Sequence, residues 1–149
     1  MAGNEKDNLK QLKDVYDGFN KGDLERMRMT LTDNATLYLA AMDQTLKGPS
    51  TIIDYFRQYK QAFDATISPT RQVACADLVL SEFVGKGIHQ GVFHSPSGDI
   101  PPTGKTITIP VCHILQWKDG KIVDIHEYFD AATLMSQLGI GLTQEHHTY

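Results

Sequence analysis

The sequence predicts an α+β fold, with helices laid against one face of a mostly antiparallel sheet. Three observations predict it. Apolar residues recur at helical spacing through the N-terminal part of the chain. From about Gln72 onward the pattern changes to runs rich in β-branched and aromatic residues. Within those runs, Lys118-Asp119-Gly120-Lys121 is a tight hairpin turn.

The elements follow in order. Leu9, Leu12, Val15, Tyr16 and Phe19 mark an amphipathic helix over residues 4 to 20, ended by Asn20-Lys21-Gly22. Asp23 reads as the N-cap of a short second helix carrying Leu24, Met27 and Leu31. Asp33-Asn34 is a turn, and Ala35 to Ala41 alternates as a strand. Gly48-Pro49-Ser50 introduces a third helix with Ser50 as cap. Ile53, Phe56, Tyr59 or Lys60, and Phe63 share one of its faces. Ser68-Pro69 breaks that pattern. Strands follow near 72–76, 78–93, 106–117 and 121–130, with a Gly- and Pro-rich loop from Ser95 to Lys105. Gly85, Gly87, Gly91 and His89 fall on one strand face, which signals bending or the close approach of another group. Ala131 to Leu138 makes a last short helix stopped by Gly139. The tail from Thr143 to Tyr149 carries no core pattern. Neither a repeat nor a linker divides the chain, so one domain is expected. A strongly bent sheet closed by helices makes a cone with an apolar pocket in its mouth, where a ligand would sit.

Composition narrows the function. The chain has 149 residues, 41% hydrophobic and 21% charged, which suits a globular protein with a real core. Its net charge is −4 and it has no basic block, which argues against nucleic acid or an anionic membrane as partner. No apolar run approaches the roughly 18 residues of a bilayer span. The polar N-terminus does not read as a signal peptide, so a cytoplasmic protein with reduced thiols is expected. Two cysteines make no disulfide framework, and Cys75 among Val73, Ala74 and Ala76 reads as a small core residue.

One residue breaks an otherwise apolar face. On the last predicted strand Val123, Ile125, Glu127 and Phe129 point one way. A carboxylate among apolar neighbours is costly unless it is paired or held protonatable. On the preceding strand His113, Leu115 and Trp117 share a face, so Glu127 and His113 can line the concave side together. Such a pair supplies a general base and an imidazole that shares its proton or steadies an oxyanion. The opposite register puts His126, Tyr128 and Asp130 inside and Glu127 in solvent. His89 faces the pocket or is a core histidine satisfied by a backbone carbonyl. Asp130 lines the pocket or caps the last helix. His89 and His94 lie on opposite strand faces and no His-x-His or Cys-x-x-Cys pair exists, so no metal is expected. His146-His147 reads as a solvated pair in the tail. Cys112 and His113 are adjacent on a strand, so they face apart and do not form a nucleophile pair. Phosphate-loop, dinucleotide and nucleophile-elbow motifs are lacking, and no cofactor is expected.

These residues resemble the SnoaL-like polyketide cyclase (ester cyclase) family. The resemblance rests on Gly87-Ile88-His89-Gln90-Gly91, Pro101-Pro102-Thr103-Gly104-Lys105, Asp119-Gly120-Lys121-Ile122, Asp130 and Gln137-Leu138-Gly139. Phe19-Asn20-Lys21-Gly22-Asp23 and Gly48-Pro49 fit it too, and together they span roughly residues 8 to 140. It implies the cone-shaped α+β barrel shared by nuclear transport factors and ketosteroid isomerases, and a homodimer through the outer face of the sheet. In the family's cyclases an acidic residue ten positions before Gln-Leu-Gly removes a substrate proton. That position is Glu127 here, where those cyclases carry Asp. Their pocket histidine corresponds to His113. Val111 stands where they place a Gln, and Leu37 near where they place an Asn. The resemblance implies catalysis by Glu127 and His113 on a hydrophobic carbonyl compound. Tyr16, Phe56, His89, Val111, Leu115, Phe129 and Asp130 are the expected substrate contacts. Hydrolysis or dehydration in the same pocket, and a non-catalytic binding or dimerising role, are the alternatives.

Overall fold

The computed structural model describes residues 2–141. It begins with α1 (Ala2–Asn20) and α2 (Glu25–Thr30). Next come β1 (Leu31–Leu39), β2 (Gln44–Lys47) and α3 (Pro49–Phe63). Six strands follow: β3 (Thr66–Cys75), β4 (Leu78–Ile88), β5 (Phe93–Ser95), β6 (Gly98–Ile100), β7 (Thr106–Lys118) and β8 (Lys121–Phe129). α4 (Ala131–Gln137) ends the described fold. A curved sheet in the order β2-β1-β8-β7-β4-β3 is antiparallel except where β1 runs parallel to β8. β5 and β6 form a separate small hairpin. Among the described residues no helix is long and apolar enough to cross a membrane.

The helices close the concave side. Leu12, Val15, Tyr16 and Phe19 of α1 are buried, as are Ile52, Ile53, Phe56 and Phe63 of α3. Their 3.6-residue spacing puts each set on one stripe facing the sheet. From the sheet, Ile107, Ile109, Val111, His113, Leu115 and Trp117 of β7 point inward, two residues apart. The turn after β7 has Asp119 at φ 52 and Gly120 at φ 81. Two consecutive positive φ values are what a two-residue hairpin loop of this hand requires.

Several local expectations are corrected. Val123 is the extra residue of a bulge, because Gln116 pairs with Asp124 while Trp117 pairs with Ile122. The bulge gives Ile122 the inward place expected of Val123 and leaves Ile125 and Glu127 facing in. β3 begins at Thr66 and runs through Ser68-Pro69. Proline is tolerated there because β3 is an edge strand, and its register slips between Pro69 and Arg71. Asp33-Asn34 lies inside β1, where pairing with β8 is interrupted between Leu31 and Thr36. The cap of α2 is Leu24, while Asp23 is occupied by an ion pair with Arg26 at 3.1 Å. α3 is capped by Gly48 at φ 88, with Pro49 in the first turn, so Ser50 is already helical. Cys75 is exposed, at the end of the edge strand. β2 and the β5–β6 hairpin were not anticipated; both are too short to show alternation. The tail residues 143–149, with His146-His147, lie outside the described residues.

The strand expected over 78–93 stops at Ile88. Beyond it the amides of Gln90 and Gly91 both bond to the carbonyl of Ala62, each at 3.0 Å. The chain is thereby tied under the C-terminal end of α3. Gly87 explains how it gets so close: a Cβ there would run into the carbonyl of Phe63. At Gly91 a Cβ would meet the Gln61 carbonyl oxygen at 2.7 Å.

Candidate active site

Glu127 on β8 stands directly opposite His113 on β7. Residues so paired across antiparallel strands have neighbouring side chains on one face. Both point into the concave side, and Glu127 is 6% exposed and His113 3%. His113 Nε2 lies 2.8 Å from Glu127 Oε1. The second oxygen, Oε2, accepts the hydroxyl of Tyr55 on α3 at 2.5 Å. The Tyr59 hydroxyl is 3.3 Å from that of Tyr55. Burial of the carboxylate is thus matched by two partners, which offsets the loss of water.

Packing fixes the imidazole. Phe83 meets it edge-on with centroids 4.9 Å apart, and Phe56 lies tilted against it at 5.9 Å. Ser81 on β4 is the cross-strand neighbour of His113. It accepts the Tyr16 hydroxyl at 2.8 Å and the Gln72 amide at 3.1 Å. Burial, above all, pushes the phenols of Tyr16, Tyr55 and Tyr59 above the ordinary tyrosine range, and the charge of Glu127 adds to the rise. All three therefore remain protonated hydrogen-bonding groups through neutral pH.

The pair opens on a cavity of about 90 Å³. Tyr16, Phe19, Phe56, Tyr59 and Phe63 line it from the helices, and Ile107, Ile109, Val111 and Phe129 from the sheet. Glu127 and His113 are the acid and the imidazole in this mostly apolar wall. Tyr59, Phe129 and Leu134 also border a second hollow of about 210 Å³, under the β5–β6 hairpin and α4. These three side chains stand between the pair and the outside.

Of the residues expected around the substrate, Tyr16, Phe56, Val111 and Phe129 line the cavity. Three others do not. His89 is fully buried behind Phe63, with ring centroids 5.1 Å apart. Its Nδ1 accepts the backbone N–H of Thr103 at 3.2 Å, so a strap of the 101–105 loop, not a backbone carbonyl, partners that nitrogen, while the buried Nε2 has no hydrogen-bond partner among the described residues. Leu115 is buried among Val79 and Ile125 on the neighbouring strands, away from the cavity. Asp130 is exposed and caps α4, accepting the amide of Ala132 at 3.0 Å and the hydroxyl of Thr133 at 2.8 Å. Those bonds, the Thr133 hydroxyl first, hold its carboxyl below the usual range. His126 and Tyr128 lie on the outer face, where His126 pairs with Asp124 at 3.1 Å. Among the described residues no group of three or more His, Cys, Asp or Glu converges as a metal set.

The sequence reading does not mark Tyr55 or Ser81, and it places Tyr59 on a helix face without marking it as part of the site. Tyr55 and Tyr59 are one turn apart on α3, and two polar-tipped aromatics at that spacing beside a buried face were the available signal. Ser81 carried none, since a small polar residue in a strand is usually solvated.

Comparison with known proteins identifies the family and the fold. The family model described as SnoaL-like polyketide cyclase matches residues 9–138. Among solved structures, a candidate SnoaL-like polyketide cyclase from Jannaschia sp. CCS1 is similar with a TM-score of 0.81 and 17% identity, covering 92% of this chain and 94% of that one. IdmH, a candidate polyketide cyclase from Streptomyces antibioticus, has a TM-score of 0.73 and 24% identity over 88% and 97% of the two chains. A protein of ketosteroid isomerase-like fold from Catenulispora acidiphila, solved with trimethylamine, has a TM-score of 0.72 and 14% identity over 88% and 93%. At these identities the likeness establishes the fold alone. No curated protein matches the chain. The family match spans the sheet, the helices and both members of the buried pair, and the chain belongs to the SnoaL-like polyketide cyclase family.

Proposed function

We propose that this protein is a cofactor-free lyase or isomerase that closes a ring in a polyketide-like or polycyclic carbonyl compound. The observation that carries the reading is the buried contact of 2.8 Å between Glu127 and His113 in the wall of an apolar cavity. Glu127 accepts the proton α to a carbonyl. The enolate carbon attacks a second carbonyl of the same molecule, forming the carbon–carbon bond and leaving an alkoxide. His113 hydrogen-bonds that oxygen, and the proton held by the pair is delivered to it. The pair ends as it began and no atom is gained or lost. A 1,3-dicarbonyl is acidic enough for a carboxylate to serve as base, and the aromatic walls hold the chain folded for attack. Val111 in place of an amide makes that contact apolar. The cavity is small beside typical ligand pockets of roughly 300–1,000 Å³. A polycyclic substrate would therefore extend past Tyr59, Phe129 and Leu134 into the outer hollow.

The test is product analysis with 1,3-dicarbonyl and polyketide-like compounds in ¹⁸O-labelled water. Cyclisation gives a product of unchanged mass and no label in the new hydroxyl beyond carbonyl exchange. Incorporation of a labelled water marks a hydrolase, and loss of water marks a dehydratase.

A second reading is a small-molecule binder. One carboxylate ringed by Tyr16, Phe56, Tyr59, Phe83 and Phe129 also suits a small organic cation held against aromatic faces. Calorimetry with trimethylammonium compounds, wild type against Glu127→Gln, separates the two. Micromolar binding without turnover of any carbonyl compound would replace the first reading by this one.

The assembly expected is a homodimer through the outer sheet face. Val73 and Leu80 are cross-strand partners there, 59% and 45% exposed, with Ile114 next in the same row. An apolar row on an open sheet face is what a second copy would cover.

A further inference from the structure

The Glu127–His113 pair has a third member, contributed by a helix. Tyr55 carries one hydroxyl proton, and an ionised carboxylate has only lone pairs to offer. The short contact to Glu127 Oε2 therefore takes that proton. The Tyr59 hydroxyl, 3.3 Å away, must then be the donor to the Tyr55 oxygen. The order of donation runs from Tyr59 to Tyr55 to Glu127, while His113 closes on the other carboxylate oxygen.

We propose that Tyr55 is a positioning residue that locks the Glu127 carboxylate in line with His113, and that Tyr59 ties this lock to the cavity wall. The proposal rests on reading Glu127 and His113 as an acid–base pair. Its support is geometric. Tyr55 and Tyr59 sit one turn apart on α3, their rings edge-to-face at 5.1 Å. Ile52, Ile53 and Phe56 anchor that helix in the core, so both hydroxyls are delivered by a rigid element. A phenylalanine would pack against Phe56 and Tyr59 equally well; the hydroxyl's contribution is the bond to a carboxylate that already has a partner. Both phenols stay protonated, chiefly because they are buried, so they act as fixed donors and no proton leaves them. A carboxylate held from both sides cannot rotate away when substrate enters, which is the preorganisation that proton transfer from carbon needs.

The experiment needs no substrate to begin. The His113 imidazole is observed by ¹⁵N NMR in wild type, Tyr55→Phe, Tyr59→Phe and Ile52→Val. Ile52→Val removes one buried methylene from the same helix without touching the hydroxyls. The expected result is a slowly exchanging Nε2–H signal in wild type and in Ile52→Val. In Tyr55→Phe it moves and exchanges faster with water, and Tyr59→Phe gives a smaller change in the same direction. A His113 signal unchanged in Tyr55→Phe would overturn the proposal, and so would an equal change in Ile52→Val. With a substrate in hand, Tyr55→Phe is expected to lower kcat about tenfold or more with KM changed less than about twofold. If the NMR changes appear but Glu127→Gln turns over substrate at the wild-type rate, the lock stands and the acid–base reading falls.

Discussion

Glu127 and Tyr55 are 72 residues apart in sequence, yet the fold brings the hydroxyl of one onto the carboxylate of the other. Strand alternation, with its period of two, set Glu127 apart in an apolar row, but it left the opposite register open, and the family resemblance chose between the two. The phenol was not legible. Helical periodicity sorts residues by which stripe they occupy, and it cannot say which strand residue a tyrosine tip will reach. His89 misled for the opposite reason: the glycines around it do mark a close approach, but of α3 rather than of a ligand. Two predictions belong at this scale. Glu127→Gln keeps the shape but can accept at only one of its two terminal atoms, and it is expected to lower turnover by about 10²–10⁴-fold, the usual contribution of a positioned acid–base group. The second concerns alkaline pH. Tyr16, Tyr55 and Tyr59 titrate above their unfolded value of 10.0. Above about pH 10 the unfolded chain loses protons that the folded chain keeps, so stability falls as pH rises. Spectrophotometric titration of phenolate is expected to show these three tyrosines silent until the protein unfolds. Free titration of all six near pH 10 with the fold intact would contradict the buried network.

At the scale of elements, caps and close contacts carry the testable content. Asp130 closes the first turn of α4, and its carboxyl is held below the ordinary range by the Thr133 hydroxyl and the Ala132 and Thr133 amides. A depressed carboxyl gives stability that is present above its unfolded value and lost as pH falls through the folded one. Acidification below about pH 4 is therefore expected to loosen α4, and Asp130→Asn to remove that pH dependence from its unfolding. Because Leu134 of α4 lines the cavity, hydrogen exchange in α4 reads the effect where it bears on access. Gly87→Ala is expected to cost about 1–3 kcal/mol, measured by urea unfolding, since a Cβ runs into the Phe63 carbonyl on backbone that cannot yield easily. The bulge at Val123 and the passage of Pro69 through an edge strand were invisible to pattern reading. Both depend on which neighbour a strand has, and a period of two contains no record of neighbours.

At the scale of the molecule, the helix-then-strand order was enough to predict an α+β fold, because each half carries one clean periodicity. The parallel pairing of β1 with β8 was not readable, since it joins the two halves of the chain across the whole sequence. That pairing matters for function: Leu39 of β1 is the register partner of Glu127, so the strand carrying the carboxylate is held from both sides. The outer face of the same sheet carries the dimer proposal. Leu80→Glu, placed in its apolar row, is expected to convert a dimer into a monomer by analytical ultracentrifugation while leaving the inner cavity intact. A wild-type monomer at micromolar concentration would remove that proposal.

Proton abstraction from carbon by the Glu127–His113 pair is the step on which the proposed function rests. The most direct measurement is deuterium exchange α to the carbonyl of a 1,3-dicarbonyl compound in D₂O, followed by NMR, with wild type against Glu127→Gln. Exchange above the buffer rate is expected with wild type, and a return to near the buffer rate with the variant. Equal exchange by both proteins, or none above buffer across the panel, would contradict that proton abstraction.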